Sequence, residues 1–203
     1  FAFSKTEVKQ IFKHSVSNMG SNLAYTIYTM ADNILMKQWF GARQLGLYGT
    51  AFNLANKPTD LIAGPINRSL AVTLNKRPVE EYGDILARAL GIVLVITLPL
   101  FAFLEFNTHS LIKILYPDEF MGSVPLLKIL VAYMFARSIG TVYAASFPNA
   151  GKPHLNAIPW FFAYIFVAAM VYSVCGIFTA TEFVVFLSVG AMLVYCSYVC
   201  IAV

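Results

Sequence analysis

From residue 155 to the end of the chain there is almost no charge: one acid, Glu182, and no lysine or arginine. That scarcity excludes a soluble domain for this stretch. Glu182 divides it into two uncharged blocks, residues 155–181 and 183–203. Each is long enough to cross a bilayer, which takes about 20 mostly apolar residues. Charge is thin elsewhere too. Charged residues make up 12% and hydrophobic ones 59%, where an ordinary soluble domain carries roughly 25% charge. Cysteine is scarce and odd in number: Cys175, Cys196 and Cys200 have no framework spacing, so no disulfide scaffold is expected. Cys196 and Cys200 share a helix face, but no histidine or acid lies near them, and the expectation is packing or lipid contact rather than metal. Compact runs of lysine and arginine are missing, which argues against a nucleic-acid partner.

Motifs of catalysis are missing as well. HExxH, GxSxG, P-loop and GxGxxG patterns do not occur, and His14, His109 and His154 fall at expected helix ends. No enzymatic activity and no cofactor or metal are expected. Alternating apolar and polar runs between turn pairs are absent, so no strands are expected. The first residues lack the apolar core and cleavage site of a signal peptide. With no initiating methionine either, the chain is expected to be part of a larger protein.

What remains is an all-α integral membrane protein. Helices are expected over about residues 7–38, ending at Gly41, and 45–75, ending before Lys76-Arg77-Pro78. A polar turn carrying Glu80, Glu81 and Asp84 leads into a third, apolar run over 89–106. A short amphipathic piece, 110–116, is expected to lie in the interface before Pro117. The fourth helix spans 124–147, and the two uncharged blocks follow the turn at Gly151-Lys152-Pro153. With six crossings, Lys5, Lys9, Lys13, Lys76, Arg77, Arg88 and Lys152 share one side, against Lys37, Arg43 and Lys113 on the other. This bias puts the N-terminus of the chain in the cytoplasm.

Function is sought in the polar residues at membrane depth. In the second helix Asn53, Lys57, Asp60, Gly64 and Arg68 recur at four, three, four and four, one stripe at about 100° per residue. A charge at the bilayer centre costs about 2.5–3.5 kcal/mol, so the stripe must face protein or a wet cavity. Pro58 and Pro65 interrupt the same helix and free the carbonyls of Leu54 and Leu61. The alternative is that Lys57 and Asp60 pair with each other and Arg68 snorkels to the interface. In the first helix Asn18, Asn22, Tyr25, Thr29 and Asp32 form a second stripe, opposite Leu23, Ile27, Met30 and Ile34. These polar residues serve either as packing glue or as a cavity wall. The fourth helix carries Arg137 between Tyr133 and Thr141. It is suited to phosphate or carboxylate, or alternatively to an ion pair with Asp32 or Asp60.

Ala31-Asp32-Asn33-Ile34-Leu35, Phe40-Gly41, Leu45-Gly46-Leu47-Tyr48, Ala51-Phe52-Asn53-Leu54-Ala55 with Pro58, and Gly64-Pro65-Ile66-Asn67-Arg68 resemble the polysaccharide-transporter flippases, as do residues 124–130 and the Gly151-Lys152-Pro153 turn. These are a branch of the multidrug/oligosaccharidyl-lipid/polysaccharide exporter superfamily. The resemblance runs to about residue 156. It implies the second six-helix lobe of a two-lobed, twelve-helix exporter, whose N-terminal half completes the cavity. It also implies a lipid-linked oligosaccharide substrate, flipped across the bacterial inner membrane. Arg68, Arg137, Lys57, Asn53, Asn22 and Tyr25 would then line the cavity, Asp32 and Asp60 would supply counter-charge or coupling, and Pro58, Gly64 and Pro65 would form a hinge. After Asn67-Arg68 the chain reads Ser69-Leu70-Ala71 where the family often has Phe-Pro and a Ser, so the end of this helix is expected to differ in shape. Two rivals predict other things: a multidrug or cation antiporter of the same fold predicts acids dominating the cavity, and a non-transporting scaffold predicts stripes that pair internally.

Overall fold

The computed structural model describes residues 5–152, 154–173 and 179–202, with the side chains of the first helical arm and of α6 described only in part. Among the described residues every regular element is helical. Helix α1 (Lys5–Pro58) is interrupted at Gly41, whose φ of 82° and ψ of 172° lie outside the helical region. Only glycine adopts this geometry without strain. The chain reverses there. Tyr48 and Asp32 are 16 residues apart yet hydrogen-bonded, whereas the same stretch of straight helix would separate them by about 24 Å. Residues 5–40 and 42–58 are therefore two arms of a helical hairpin with a one-residue turn. The break expected at Gly41 is present, but no loop separates the helices.

The second arm runs without a gap into a π turn, Thr59–Ala63, and then α2 (Gly64–Leu74). Pro58 and Pro65 bracket the turn, and neither has an N–H to give to the α-helical ladder. Within it the Gly64 N–H bonds to Thr59 O, five residues back. After Pro78 a short 3-10 turn, Val79–Glu81, leads into α3 (Tyr82–Leu115). Residues 110–115 are the last turns of α3 rather than a separate interfacial helix. A second 3-10 turn, Asp118–Gly122, precedes α4 (Ser123–Ala144) and the single turn α5 (Ser146–Asn149). Gly151, at φ 73°, then ends this run, and α6 (His154–Ser173) and α7 (Ala180–Ala202) follow.

Helix α4 is central and packs against α1, α3 and α7. The main core gathers Met36, Ala51, Leu127, Met134 and Val184 from these elements. A second cluster joins Leu70 and Leu74 of α2 to Leu86 and Val93 of α3 and Val142 of α4. The Tyr82 hydroxyl contacts the carbonyl oxygens of Leu74 at 3.1 Å and Asn149 at 3.3 Å, tying this end of the bundle together. Outward faces are apolar: on α3, Val95 is 76% and Phe106 88% exposed. Among the described residues, three stretches are long and apolar enough to cross a membrane: Val79–Leu115, Asp118–Asn149 and Ala180–Ile201. Apolar residues that stay outside on membrane-length helices are what a lipid-facing surface requires. The chain is a membrane protein.

The lone acid of the C-terminal blocks caps a helix. Glu182 Oε2 accepts from the Thr179 N–H at 2.8 Å, and the Glu182 N–H reaches back to Thr179 Oγ1 at 3.3 Å. This is a reciprocal capping box at the start of α7, which satisfies donors that the first turn leaves open.

Candidate functional site

The second arm, the π turn and α2 form one rod with two unlike sides. Ala51, Ala55, Pro58, Thr59 and Ala63 are buried against the bundle. Asn53, Lys57, Asp60 and Arg68 are exposed on the other side. The exposed face runs through residues 53, 57 and 60–61, then 65, 68–69 and 72. It skips one residue at the π turn. An i→i+5 turn holds one residue more than an α turn, so each later residue sits where its predecessor would lie in an unbroken α-helix. Gly64, expected in the stripe, is consequently half-buried, and Pro65 is exposed in its place. A Cβ at Gly64 would meet Thr59 O at an ordinary 3.8 Å, so the turn does not require glycine there.

Lys57 does not pair with Asp60. Asp60 Oδ2 instead accepts from Asn56 Nδ2 at 2.7 Å, and Asn56 Oδ1 accepts from Arg137 Nη1 at 3.1 Å. Arg137 therefore reaches Asp60 through one amide, and the direct ion pair to Asp32 or Asp60 does not form. Asn56 sits i,i+4 from Asp60 on the side turned toward α4, which lets its two amide atoms serve one partner each. Below this bridge, Thr59 Oγ1 and Ser138 Oγ lie 3.2 Å apart, both buried. Ser138 gives its single hydroxyl hydrogen to Met134 O at 2.9 Å, so Thr59 is the donor of the pair. Two side-chain links thus fasten the π turn to α4.

Asp32 is 7% exposed and accepts from the Tyr48 hydroxyl at 3.5 Å. It borders a cavity of about 10 Å³ shared with Tyr133 and Ser188, about the room one water molecule needs. The Ser188 hydroxyl is buried there without a hydrogen-bond partner. Leu23, Met30 and Ile34 point outward from the same arm, so Asp32 occupies its inward side. Asn22 and Tyr25, like Asn18 and Thr29, have side chains outside the described residues. Glu80, Glu81 and Asp84 are exposed, and Glu81 pairs with Arg77 at 3.3 Å. Cys196 and Cys200 are exposed on α7. Among the described residues no three His, Cys, Asp or Glu side chains cluster closely enough to share a metal ion.

Asn56 and Ser188 were not among the residues expected from the sequence. Asn56 lies one position off the stripe, and its i,i+4 spacing from Asp60 is the pattern that marks it. Ser188 stands in an apolar block with nothing periodic to single it out.

Residues 1–125 match the family described as polysaccharide biosynthesis protein. The chain belongs to this family. Comparison with curated proteins returns no match. Among solved structures, the chain is similar to that of a MATE mutant, with a TM-score of 0.81 and 16% sequence identity. That similarity covers 100% of this chain and 47% of the other, so the chain spans about half of its length. At this identity the likeness establishes the fold. Family and fold agree with the exporter superfamily that residues 31–68 resemble.

Proposed function

We propose that this polysaccharide biosynthesis family member is the C-terminal six-helix lobe of a transporter that flips undecaprenyl-pyrophosphate-linked oligosaccharide across the bacterial inner membrane, for O-antigen or exopolysaccharide synthesis. The observation that carries this reading is the open charged face of the rod formed by the second arm, the π turn and α2, where Lys57, Asp60 and Arg68 stand exposed. Facing lipid, each charge would cost about 2.5–3.5 kcal/mol at the bilayer centre. Against a wet cavity closed by an N-terminal half, that penalty vanishes. Lys57 and Arg68 attract the anionic headgroup, with Arg137 behind them. Asn53, with Asn22 and Tyr25, bonds sugar hydroxyls. Asp60 and Asp32 supply counter-charge or couple transport to a cation gradient. Pro58, Gly64 and Pro65 permit bending between inward-open and outward-open states. The lysine and arginine bias of the loops supports a cytoplasmic start for this lobe.

The test is translocation by the full-length protein in proteoliposomes, offered a lipid-linked oligosaccharide and a cationic dye side by side. The lipid-linked sugar moves, and Arg68→Ala abolishes its movement while leaving the protein level unchanged. Movement of the dye alone overturns the reading in favour of a cation antiporter of the same fold. The observation that favours that second reading is Asp32, an acid buried beside a small cavity that it shares with Tyr48, Tyr133 and Ser188.

A further inference from the structure

The π turn between Pro58 and Pro65 decides which residues of α2 reach the open face. In the structure Pro65, Arg68 and Ser69 are exposed, while Gly64 and Asn67 are half-buried. Asn67 is poorly accommodated there: its Oδ1 is buried with no hydrogen-bond partner. An unpaired buried amide oxygen is destabilising, because it has lost its water and gained nothing. An uninterrupted α-helix through residues 59–63 would relieve it. Closing the π turn with the same number of residues rotates everything after it by about 100° and advances it by about 1.5 Å. Gly64 would then take the place of Pro65, and Asn67 would come to the face beside Arg68. Ser69 would turn inward. Arg68 stays on the open side in both registers.

We propose that the segment 59–63 is a register switch, and that Asn67 is a cavity residue of the second register. In one state the open face presents Arg68 with the Ser69 hydroxyl. In the other it presents Arg68 with the Asn67 amide, a group that both donates and accepts and that suits a polyhydroxylated ligand. Two features favour a switch over a fixed bulge. Pro65 has no N–H, so the hydrogen-bond ladder is already broken where the registers exchange. The π register is held from outside, by the Arg137–Asn56–Asp60 bridge and the Thr59–Ser138 hydroxyl pair. Once they release, the rotation also carries Leu70 and Leu74 out of their present places against α3 and α4, so the two registers differ in core contacts as well as in the open face. The role of Asn67 as a ligand contact rests on the transport reading above; the register switch does not.

Single-cysteine labelling tests it in a full-length protein otherwise free of cysteine, in membrane vesicles, with a small water-soluble maleimide. A state holding even a few per cent of the population is labelled over minutes when exchange is fast. Asn67→Cys and Ser69→Cys are both expected to label, and Leu127→Cys, fully buried in α4, to stay inert. Deleting Leu61, a 73% exposed residue of the turn, converts it to an α turn while keeping later residues as they now face. In the deletion protein Ser69→Cys still labels, and Asn67→Cys is protected. Asn67→Cys inert in the native-length protein overturns the switch, and so does equal labelling of Asn67→Cys with and without the deletion. Should the deletion protein fail to assemble, Asn56→Ala with Ser138→Ala releases both fastenings: labelling then rises at 67 and falls at 69, and no change overturns the proposal. Labelling needs no transported substrate, so its outcome is independent of whether the lipid-linked sugar moves.

Discussion

Gly140 of α4 lies directly against Tyr195 of α7. A Cβ at residue 140 would fall 2.5 Å from Tyr195 Cβ and 2.7 Å from its Cγ. Rotating the ring gives no relief, because the tyrosine's own Cβ is in the way. Tyr195 is held from its other sides by the rings of Trp160 at 5.8 Å and Tyr198 at 6.0 Å. This close approach of α4 to α7 therefore depends on the missing side chain at 140, the small-residue packing that membrane helices favour.

Gly140→Ala should force α4 and α7 apart. Overpacking of this kind costs about 1–3 kcal/mol, and a lower midpoint of thermal unfolding in detergent is expected. An unchanged midpoint would show that the two helices have slack at this contact.

Glu182 acts through its acceptor oxygens rather than through a charge carried into the membrane. Glu182→Gln should keep the stability of the protein, because glutamine also completes a capping box. Thr179→Ala should lose about 1 kcal/mol, the usual effect of removing a capping hydroxyl. Thermal unfolding of the pair decides: a Gln variant as unstable as the Ala variant would mean that the charge matters.

Asp32→Asn keeps an oxygen for the Tyr48 hydroxyl but removes the ionisable carboxyl. If Asp32 couples transport to a cation gradient, the variant should assemble normally and carry substrate at the same rate with and without the gradient. Tyr48→Phe should retain gradient dependence. A gradient response preserved in Asp32→Asn would confine this acid to a structural part.

The elements were largely legible in the sequence because their punctuation is chemical. Pro78, Pro117 and the Gly151 turn end helices by removing donors or by supplying a positive φ, and those effects act locally. The exposed polar stripe was legible for the same reason, since helical periodicity is local. The inward turn of Gly64 is not legible, because locality fails there. Pro58 and Pro65 announce an interruption, but whether the chain absorbs it as a bend or as an added residue depends on what α4 offers. The Thr59–Ser138 contact spans 79 residues of sequence. Asn56 is not legible in the sequence, because a residue beside the stripe acquires meaning only through the approach of Arg137. The capping pattern of Thr179-Ala180-Thr181-Glu182 is legible in the sequence, since it too is local.

The hairpin at Gly41 limits how the helices of this chain can move. One residue makes the whole turn, so there is no spare chain to let one arm slide along the other. The arms can change the angle between them, like the legs of a compass, with Gly41 as the pivot. Any opening of the charged face that involves the first two arms is therefore a rotation about one end. Its displacement grows with distance from Gly41, so it is small at Asp32 and Tyr48 and larger at Asp60 and beyond.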